Sequence, residues 1–516
     1  MKDKMFRSFN ICALSALLLF LANTAFSADT TDNISIIPTA GCNLVIDSAQ
    51  DDINLKATSS TNWFAGVFKG FDITKPTTLT LDMYGTEGDV RKWEGLYPVY
   101  TYANHFDYNT YIYYAKNDDG YWVSSDPFLK GEAKLAGNGK TPIQTAIPEL
   151  YAEEFLSEDG KYWSACGELK DTKINIGSNT FTITNQFNSP DAFIAMKYPY
   201  SYDYELAYIE KLKHANIPGV TVHEIGKSEK DHKLFVIQVS DPNATAEELK
   251  KRRVVLMYAN EDGNEPDGSW VVNGAMNFLI SGSDEAKKIL KDVTFLFLPL
   301  LDPTGWSNST YAAMTYDFKY EVNKPIRPEV LSYAKFIIDW CGEKENRLDV
   351  VVNLHNVECN EAPNVLCPIL EGNQTEEIDN LNKFLLPRLE KLQEIKVGHG
   401  YWIVGGFSSN RLAGWSAYFW SNIQIAYEIN SRYPENRLSL DGLNILGKSF
   451  VISLSEYFNS DGYERAFPLM EKYRYAQIKT RKESLPEYLS IESKFANQPN
   501  YNIEDMRNSR ILNRGF

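Results

Sequence analysis

The chain has 516 residues, of which 43% are hydrophobic and 23% are charged, a composition typical of globular proteins and unlike that of disordered or fibrous chains. Its length exceeds what one ordinary hydrophobic core serves, and it predicts two domains followed by a tail. The formal net charge of −16 and the lack of basic runs exclude nucleic acid as a partner, because phosphate binding requires clustered Lys and Arg.

Residues 1–27 have the pattern of a secretory signal peptide. Basic residues precede the apolar run ICALSALLLFLANTAF, and small residues follow it at the predicted cleavage point after Ser27. The run is shorter than the ~20 residues that cross a bilayer, and no later segment is apolar enough to span one. We therefore expect export to a periplasm or to the outside, without a stable membrane anchor.

Export permits disulfides, and the cysteines that follow the signal peptide offer two pairings. Cys359 and Cys367 bracket the short loop CNEAPNVLC and could close it, while Cys42 and Cys166 could join parts of the N-terminal domain. The pairing cannot be read from the sequence, and one thiol is left over. The chain contains no Cys-x-x-Cys pair, so a thiolate zinc site is not predicted.

The segment 28–190 reads as β structure. Short runs such as TTLTLDMYG, NTYIYYAK and NTFTITNQF are separated by Gly, Asn and Asp. The 31 Tyr, 27 Phe and 10 Trp of the chain also favour pleated sheets, on which flat side chains pack well. These patterns predict an all-β sandwich domain.

The segment 191–460 alternates apolar strands with helical periods, beginning with the helix YDYELAYIEKLKHA. The predicted strands are VTVHEIG, KLFVIQVS, RVVLMYA, VTFLFLPLLDP, LDVVVNLHN and IQIAYEIN, and the further helices are SWVVNGAMNFLISG, DEAKKILK, PEVLSYAKFIIDWCGE and LSLDGLNILGKSFVISLSEYF. Buried strands separated by helices indicate an α/β domain whose sheet is covered by helices on both faces. The segment 461–516 is charged with sparse apolar positions, and we expect a C-terminal helix and tail.

Polar residues follow three of the predicted strands. Asp262 and Glu265 follow RVVLMYA, His355 ends the apolar part of LDVVVNLHN, and Glu428 lies in IQIAYEIN. Ligands of α/β sheets bind beyond the carboxyl ends of the strands, and ionic groups there are costly unless they are paired or bound to metal. Taken singly, these residues also fit ordinary turn carboxylates, a core histidine, and a Glu paired with Arg432.

In combination, these segments resemble the zinc metallocarboxypeptidases of the carboxypeptidase A type, most closely the subgroup that includes the cytosolic carboxypeptidases. That family has His-x-x-Glu after a strand, a third ligand His much later, and a catalytic Glu in a late strand. The matching segments here are DGNE with Asp262 and Glu265, NLHN with His355, and AYEIN with Glu428. The segments FLPLLDPTGW, EVNKP and AMKYPYSYDY are similar to further motifs of the family.

The resemblance implies a mixed-sheet metallocarboxypeptidase-like domain, preceded by the β-sandwich. It also implies one Zn²⁺ ion bound by Asp262, Glu265 and His355. Zinc accepts carboxylate oxygen at about 2.0–2.2 Å, so Asp at the position of the family's first zinc-binding His is compatible with binding. Two carboxylates and one imidazole cancel the charge of the ion, and Mn²⁺ or another divalent ion is also compatible with this set.

The implied activity is that of an exported hydrolase of peptide or acyl-amide bonds, with Glu428 as the general base. Asn323 and Lys324 would orient an acidic group of the substrate, which the export signal suggests is a peptide such as one derived from peptidoglycan. Lys324 replaces a family Arg and holds a carboxylate only as a point charge, so Arg411 or Arg432 could take that role instead.

Other interpretations stay open on the residues alone. Ala312 stands where the family has an Arg that polarises the scissile carbonyl, and Glu261 could take part in the metal site in place of a neighbour. One alternative is a non-catalytic, degenerate carboxypeptidase-like binding protein that keeps the cleft. Another is a deacylase or peptide amidase on the same fold. The oligomeric state is not predicted.

Overall fold

The structure is a computed structural model, and it describes residues 35–38, 44–49, 52–57, 64–82, 90–102, 114–116, 122–124, 167–200, 202–228, 230–263, 265–303, 328–343, 346–357, 364–368, 423–434, 437–460 and 463. The predicted signal peptide and nearly all of the predicted tail lie outside these ranges. Among the helices within them, none combines the length and the apolar character that crossing a membrane requires.

The N-terminal part of the described chain is built from strands. The strands are β1 (Ser35–Pro38), β2 (Leu44–Ala49), β3 (Asp52–Ala57), β4 (Ala65–Lys69), β5 (Thr77–Asp82), β6 (Val99–Tyr102), β7 (Tyr114–Lys116), β8 (Trp122–Ser124), β9 (Gly167–Glu168), β10 (Asp171–Asn175), β11 (Thr180–Asn185) and β12 (Asp191–Ala195), with a 3₁₀ helix at Val90–Trp93. One five-stranded sheet has the order β1-β4-β12-β6-β9 and a second has the order β10-β11-β5-β3-β2, while β7 pairs with β8.

The two five-stranded sheets share one apolar core. Strand β5 alternates buried with half-buried residues, and Leu79 and Leu81 lie opposite Ile183 and Phe181 of β11 in the register. These residues belong to the same buried cluster as Phe193 of the other sheet. Alternate large side chains of two sheets thus meet in one interior, which agrees with the predicted β-sandwich.

The second part of the described chain alternates strands and helices. Its strands are β13 (Val220–Lys227), β14 (Lys233–Val239), β15 (Arg253–Ala259), β16 (Val293–Leu298), β17 (Val350–Asn356), β18 (Val365–Pro368) and β19 (Ile423–Ile429). Its helices are α1 (Tyr202–Ala215), α2 (Ala246–Lys251), α3 (Pro266–Ile280), α4 (Asp284–Leu290), α5 (Pro328–Ile338) and α6 (Leu440–Phe458), with a π-helix at Asp339–Glu343.

These seven strands form one mixed sheet in the order β13-β14-β16-β15-β17-β19-β18. The four central strands run parallel, whereas the pairings of β13, β14 and β18 are antiparallel. Val255 and Met257 of β15 pack in the cluster that contains α3 and α6, and Leu256 and Tyr258 pack in the cluster that contains α5. The prediction of a mixed α/β domain with helices on both faces of the sheet is therefore confirmed.

In the α/β part of the described chain, helix α2 and strand β18 were not predicted from the sequence. Helix α2 buries none of its residues, so it has no apolar period to detect. Its start is stabilised by a capping box, in which Thr245 and Glu248 each accept a hydrogen bond from the other's backbone amide. Strand β18 forms through antiparallel pairing with β19, a long-range contact that its short sequence does not reveal.

Helices α3 and α6 pack closely because a glycine of each faces the backbone of the other. A Cβ atom at Gly447 would lie 1.9 Å from the carbonyl oxygen of Val271, and one at Gly274 would lie 2.3 Å from the Cα of Asn444. Neither distance can be accommodated without separating the helices. This contact holds α3, and with it the residue that precedes α3, against the sheet.

We expect Gly447→Ala to lower the free energy of unfolding by at least about 1–3 kcal/mol, because the added methyl group meets backbone that cannot rotate away. Gly442→Ala in the same helix is the matched control, since its Cβ would have only ordinary contacts of 3.5 Å or more. The control should be neutral or slightly stabilising, because Ala favours helix. Denaturant unfolding of both variants in the presence of a chelator measures the difference, and equal stability would contradict the close contact.

Candidate metal centre

Three neighbouring parallel strands bring the predicted site residues to one edge of the sheet. Asp262 and Glu265 follow β15, while His355 and Glu428 are the penultimate residues of β17 and β19. His355 and Glu428 are direct partners in the register between their strands. The carboxyl ends of parallel strands meet at the same edge, so all four residues share one location in the fold.

The turn after β15 is fixed by backbone contacts. Asn260 has a left-handed conformation with φ of 59°, and its carbonyl accepts a hydrogen bond of 2.9 Å from the amide of Asp302. The amide of Glu265 then donates to the carbonyl of Asp262 at 3.1 Å, which places the two acids on one turn. Pro266 follows as the first residue of α3, where its fixed φ suits a helix start.

The start of α3 lies directly against the two strands beneath it. A Cβ atom at Gly268 would lie 2.8 Å from the carbonyl oxygen of Leu354 and 3.0 Å from the Cβ of Ala259. Only glycine permits this approach. Because Leu354 precedes His355, the close contact brings Glu265 at the helix start within reach of the imidazole.

The ligand atoms of the three predicted metal-binding residues converge. Nδ1 of His355 lies 2.9 Å from Oε2 of Glu265 and 3.5 Å from Oδ2 of Asp262. One ligand atom from each residue lies within 4.8 Å of those of the other two. Donor atoms bound at about 2.0–2.1 Å around a tetrahedral zinc ion lie about 3.3 Å apart, so these separations fit a shared ion.

The chemistry of the donor set also fits a divalent cation. Asp262 is 4% exposed and Glu265 is 8% exposed, so both carboxylates are removed from water. Oδ1 of Asp262 is buried and has no hydrogen-bond partner among the described residues. A buried, unpaired carboxylate oxygen is costly, and a cation shared by two carboxylates and an imidazole would remove that cost.

A further acid lies on the other side of the imidazole. Oε2 of Glu261 accepts hydrogen bonds from Nδ2 of Asn353 at 2.7 Å and from the hydroxyl of Tyr258 at 3.1 Å, and it lies 3.6 Å from Nε2 of His355. Nδ2 of Asn353 is also 2.7 Å from Nε2 of His355. Acidic groups therefore flank both ring nitrogens of His355.

The sequence pattern predicted Glu261 only as an alternative member of the metal site, and it did not predict that Asn353 and Tyr258 would contact Glu261. A signal was present, because Asn353 and His355 are alternate residues of one strand and share a face of the sheet. Tyr258 is the register partner of Asn353 on the neighbouring strand. If β15 and β17 are assumed to pair in this register, the side chains of Tyr258, Asn353 and His355 are expected to lie near one another.

The electrostatics of the site favour bound protons when no cation is present. Burial raises the pKa of Glu265 to about 7, and it also raises that of Asp262. Burial lowers the pKa of His355, but the surrounding carboxylates, Glu265 first, outweigh it and hold that pKa well above its usual value. For Glu261 burial raises the pKa, yet the nearby imidazole of His355 and the hydrogen bonds from Asn353 and Tyr258 outweigh it and hold the pKa below its usual value.

Asp267 joins α3 to the ends of the strands. It is fully buried, and its Oδ2 accepts hydrogen bonds from Nδ2 of Asn356 at 2.6 Å and from the amide of Ser431 at 3.2 Å. Nζ of Lys197 lies 3.9 Å from the same oxygen. One carboxylate thus restrains the ends of β17 and β19 relative to the helix that begins at the site.

The predicted substrate-binding residues Asn323 and Lys324 lie outside the described residues, as do Ala312 and Arg411. The other proposed cation, Arg432, is described, and its side chain is completely buried. Its guanidinium donates to Oε1 of Glu168 at 3.0 Å and to the carbonyl of Leu438, and it lies 5.0 Å from the ring centre of Tyr198. This burial contradicts a substrate-binding role, because Arg432 instead links β9 to the segment between β19 and α6.

The chain is similar to a known protein family, to curated proteins and to solved structures. Residues 205–325 match the Peptidase M14 family model, described as zinc carboxypeptidase. The matched segment includes Asp262 and Glu265 and ends before His355 and Glu428. For that segment, the match supports the predicted similarity to a zinc carboxypeptidase family.

Curated relatives are similar over a limited segment. Cytosolic carboxypeptidase 2 of Macaca fascicularis is 28% identical over 171 residues, which cover 31% of this chain and 20% of that protein. Cytosolic carboxypeptidase 2 of Danio rerio is 23% identical over 187 residues, which cover 34% of this chain and 25% of that protein. The alignments thus span a quarter or less of the length of these relatives.

Solved structures are similar over most of the chain. A metallo-carboxypeptidase from Burkholderia cenocepacia has a TM-score of 0.58 at 14% identity and covers 83% of this chain and 99% of its own. A metallo-carboxypeptidase from Pseudomonas aeruginosa, in complex with (2-guanidinoethylmercapto)succinic acid, has a TM-score of 0.58 at 14% identity. The alignment covers 82% of this chain and 99% of that chain. At such identity the similarity concerns the fold. Together the comparisons confirm the predicted resemblance to the zinc metallocarboxypeptidases and the predicted fold class.

We expect chelator-treated protein to bind one Zn²⁺ ion with an affinity that increases as the pH rises from about 6 to 8, because ligands must lose their protons to bind metal. The pKa of Glu265, raised to about 7, and the raised pKa of His355 keep those protons bound at the lower pH. Calorimetry in buffers of different ionisation enthalpy measures both the affinity and the protons released.

Two variants serve as controls for this measurement. Glu265→Gln removes one ligand and one titrating group, so it should weaken binding and release fewer protons. Glu285→Gln, a change at an exposed residue of α4, should bind as the wild type does. Zinc affinity that does not change with pH would contradict the proton competition, and failure of the wild type to bind zinc would contradict the site.

Proposed function

We propose that this chain is an exported, metal-dependent hydrolase of peptide or acyl-amide bonds. Asp262, Glu265 and His355 would hold one Zn²⁺ or a similar divalent ion, and Glu428 would act as the general base. The observation that carries the proposal is the convergence of two buried carboxylates on one imidazole, within the reach of a shared ion. Export is supported by the basic, apolar and small-residue order of residues 1–27.

The division of roles follows from chemistry and placement. A bound divalent ion acts as a Lewis acid towards the scissile carbonyl and makes water nucleophilic at neutral pH. Asp262, Glu265 and His355 would hold and orient that ion, and Asp262 and Glu265 are each less than a tenth exposed. These residues therefore supply binding and position, and a separate group must move the proton.

We assign that proton transfer to Glu428. It is half-buried and is the register partner of His355, while its neighbour Tyr427 packs into the core on the opposite face of the sheet. Burial is the main cause that raises the pKa of Asp262, and the nearby charge of Glu428 adds to it. Glu428 would take a proton from the attacking water and give it to the departing amine.

The substrate class follows from the resemblance and from the predicted export. We propose a peptide whose acidic or C-terminal group is oriented by Asn323 and Lys324, such as a peptide derived from peptidoglycan. Lys324 would offer a single point charge in place of the two-pronged Arg of the family. Selection for a free C-terminal carboxylate should accordingly be looser than an Arg would impose.

We expect Glu428→Gln to lower kcat/KM by about 10²- to 10⁴-fold, because general acid–base catalysis contributes a factor of this size. Zinc stoichiometry should not change, since Glu428 is outside the predicted ligand set. Glu456→Gln on the exposed face of α6 is the control and should retain full activity. Mass spectrometry of products from free-acid peptides, amidated peptides, stem peptides and acyl amides provides the assay.

Two results would count against the mechanism or the function. Turnover that survives Glu428→Gln removes Glu428 as the base. A zinc-loaded wild type that binds peptides but hydrolyses no member of the substrate panel favours the non-catalytic binding protein instead.

We also expect Lys324→Met to raise KM for peptides with a free C-terminal carboxylate by roughly 10- to 100-fold, the value of one hydrogen bond to a charged group. The same change should leave KM for the matching C-terminally amidated peptides unaltered, because these carry no carboxylate at that end. Steady-state kinetics on the paired peptides gives the comparison. An equal effect on both members of a pair would show that Lys324 does not recognise the carboxylate.

A further inference from the structure

Glu261 is a buried carboxylate that the proposed mechanism does not use. It is 1% exposed, and His355 is its ion-pair partner among the described residues, with Oε2 of Glu261 3.6 Å from Nε2 of His355. A buried carboxylate without a Lys or Arg partner is costly, so it requires a compensating group nearby. The imidazole is the group in the right position.

The protonation of the imidazole determines whether it can bind a metal ion. Neutral histidine carries one hydrogen, on Nδ1 or on Nε2, and only the nitrogen without it has a lone pair to donate. Nδ1 of His355 is the nitrogen that faces Asp262 and Glu265. Metal binding therefore requires the hydrogen on Nε2, and that N–H group needs an acceptor.

Among the residues that the structure describes, the groups near Nε2 of His355 offer one acceptor, the carboxylate of Glu261. Nδ2 of Asn353 lies 2.7 Å from Nε2 and donates to Oε2 of Glu261 at 2.7 Å, so Asn353 can donate to a bare Nε2 but cannot accept from Nε2–H. Turning the amide around would place its oxygen against the Glu261 carboxylate, where two acceptors repel. The hydroxyl of Tyr258 also donates to Oε2 of Glu261, which fixes this carboxylate in place. The carboxylate of Glu261 is thus the acceptor available to Nε2.

We propose that Glu261 is a positioning residue for the metal ligand His355. Its carboxylate accepts the Nε2–H hydrogen and thereby leaves the lone pair of Nδ1 for the ion that Asp262 and Glu265 share. Forming this hydrogen bond requires Nε2 to move less than about 1 Å, towards Oε2 of Glu261 at 3.6 Å and away from Nδ2 of Asn353 at 2.7 Å, because two donors would otherwise face each other. The inference rests on the proposed metal-dependent function, but it concerns affinity for the ion and not the hydrolytic step.

The test compares Glu261→Gln with the wild type in zinc affinity, measured by competition with a chromophoric chelator. Glutamine keeps an oxygen that accepts from Asn353 and Tyr258 but loses the charge that favours the Nε2–H form. We expect one ion per chain in both proteins and an affinity about 10- to 100-fold weaker in the variant, as for loss of other carboxylate partners of metal-binding histidines. Glu205→Gln removes another buried glutamate, in α1, and should bind zinc as the wild type does.

Two further readouts separate positioning from a merely structural role. Nitrogen-15 NMR of histidine-labelled, zinc-loaded wild type should show Nε2–H at His355, assigned by comparison with a His355→Gln sample, and Glu261→Gln should weaken or broaden that signal. Denaturant unfolding with chelator present should show that the variant stays folded under the assay conditions, although His355 loses its ion-pair partner. A loss of affinity then cannot come from unfolding.

The outcomes distinguish this inference from the proposed function. Zinc affinity of Glu261→Gln within twofold of the wild type overturns the positioning role, even if the wild type proves to be an active hydrolase. Weaker zinc binding in Glu261→Gln together with an inactive wild type supports the positioning role and overturns the hydrolase. A wild type that binds no divalent ion overturns both.

Discussion

The structure depends on one electrostatic constraint, the burial of three adjacent acids around a single imidazole. Glu261, Asp262 and Glu265 are each less than a tenth exposed, and His355 is the residue that pairs with all three among the described residues. Desolvated like charges at these distances repel strongly and favour the uptake of protons or of a cation. Burial is the main cause that raises the pKa of Glu265, with the charge of Asp262 adding to it, and the surrounding carboxylates raise the pKa of His355. A divalent ion shared by Asp262, Glu265 and His355 would satisfy this constraint without protons.

The fold supports this arrangement by fixing the elements that carry it. Four parallel strands, buried on both faces, place their carboxyl ends at one edge of the sheet. Helix α3 can start there because Gly268 permits contact with β17 and because Asp267 bonds to the ends of two strands. The glycine contact between α3 and α6 holds the helix from behind. The contacts that stabilise the core in this region are therefore also the contacts that position the site residues.

The donor set gives the proposed site a character of its own within the zinc carboxypeptidase resemblance. An Asp at the first ligand position replaces a neutral imidazole by a negative oxygen, so the bound ion would be electrically neutralised by its ligands. A more neutral ion acidifies water less and polarises a carbonyl less, so the proposed mechanism would depend more on Glu428 as the base. The oxygen-rich set also suits harder ions such as Mn²⁺. On the other face of the imidazole, Glu261 adds negative charge that would further favour retention of a cation.

The sequence alone determined the sequence-local features of this protein. Apolar periodicity identified the helices and central strands of the α/β domain, because burial on one or both faces leaves a pattern in neighbouring residues. Polar residues after apolar strands identified Asp262, Glu265, His355 and Glu428 as a group, since parallel strands end at one edge. Tertiary structure alone decided what depends on partners distant along the chain. The register of β15 with β17 set Tyr258 and Asn353 beside Glu261, and burial against Glu168 gave Arg432 a structural role in place of a substrate-binding one. Such contacts join residues separated by ninety or more positions, and no local pattern records which charge will meet which partner.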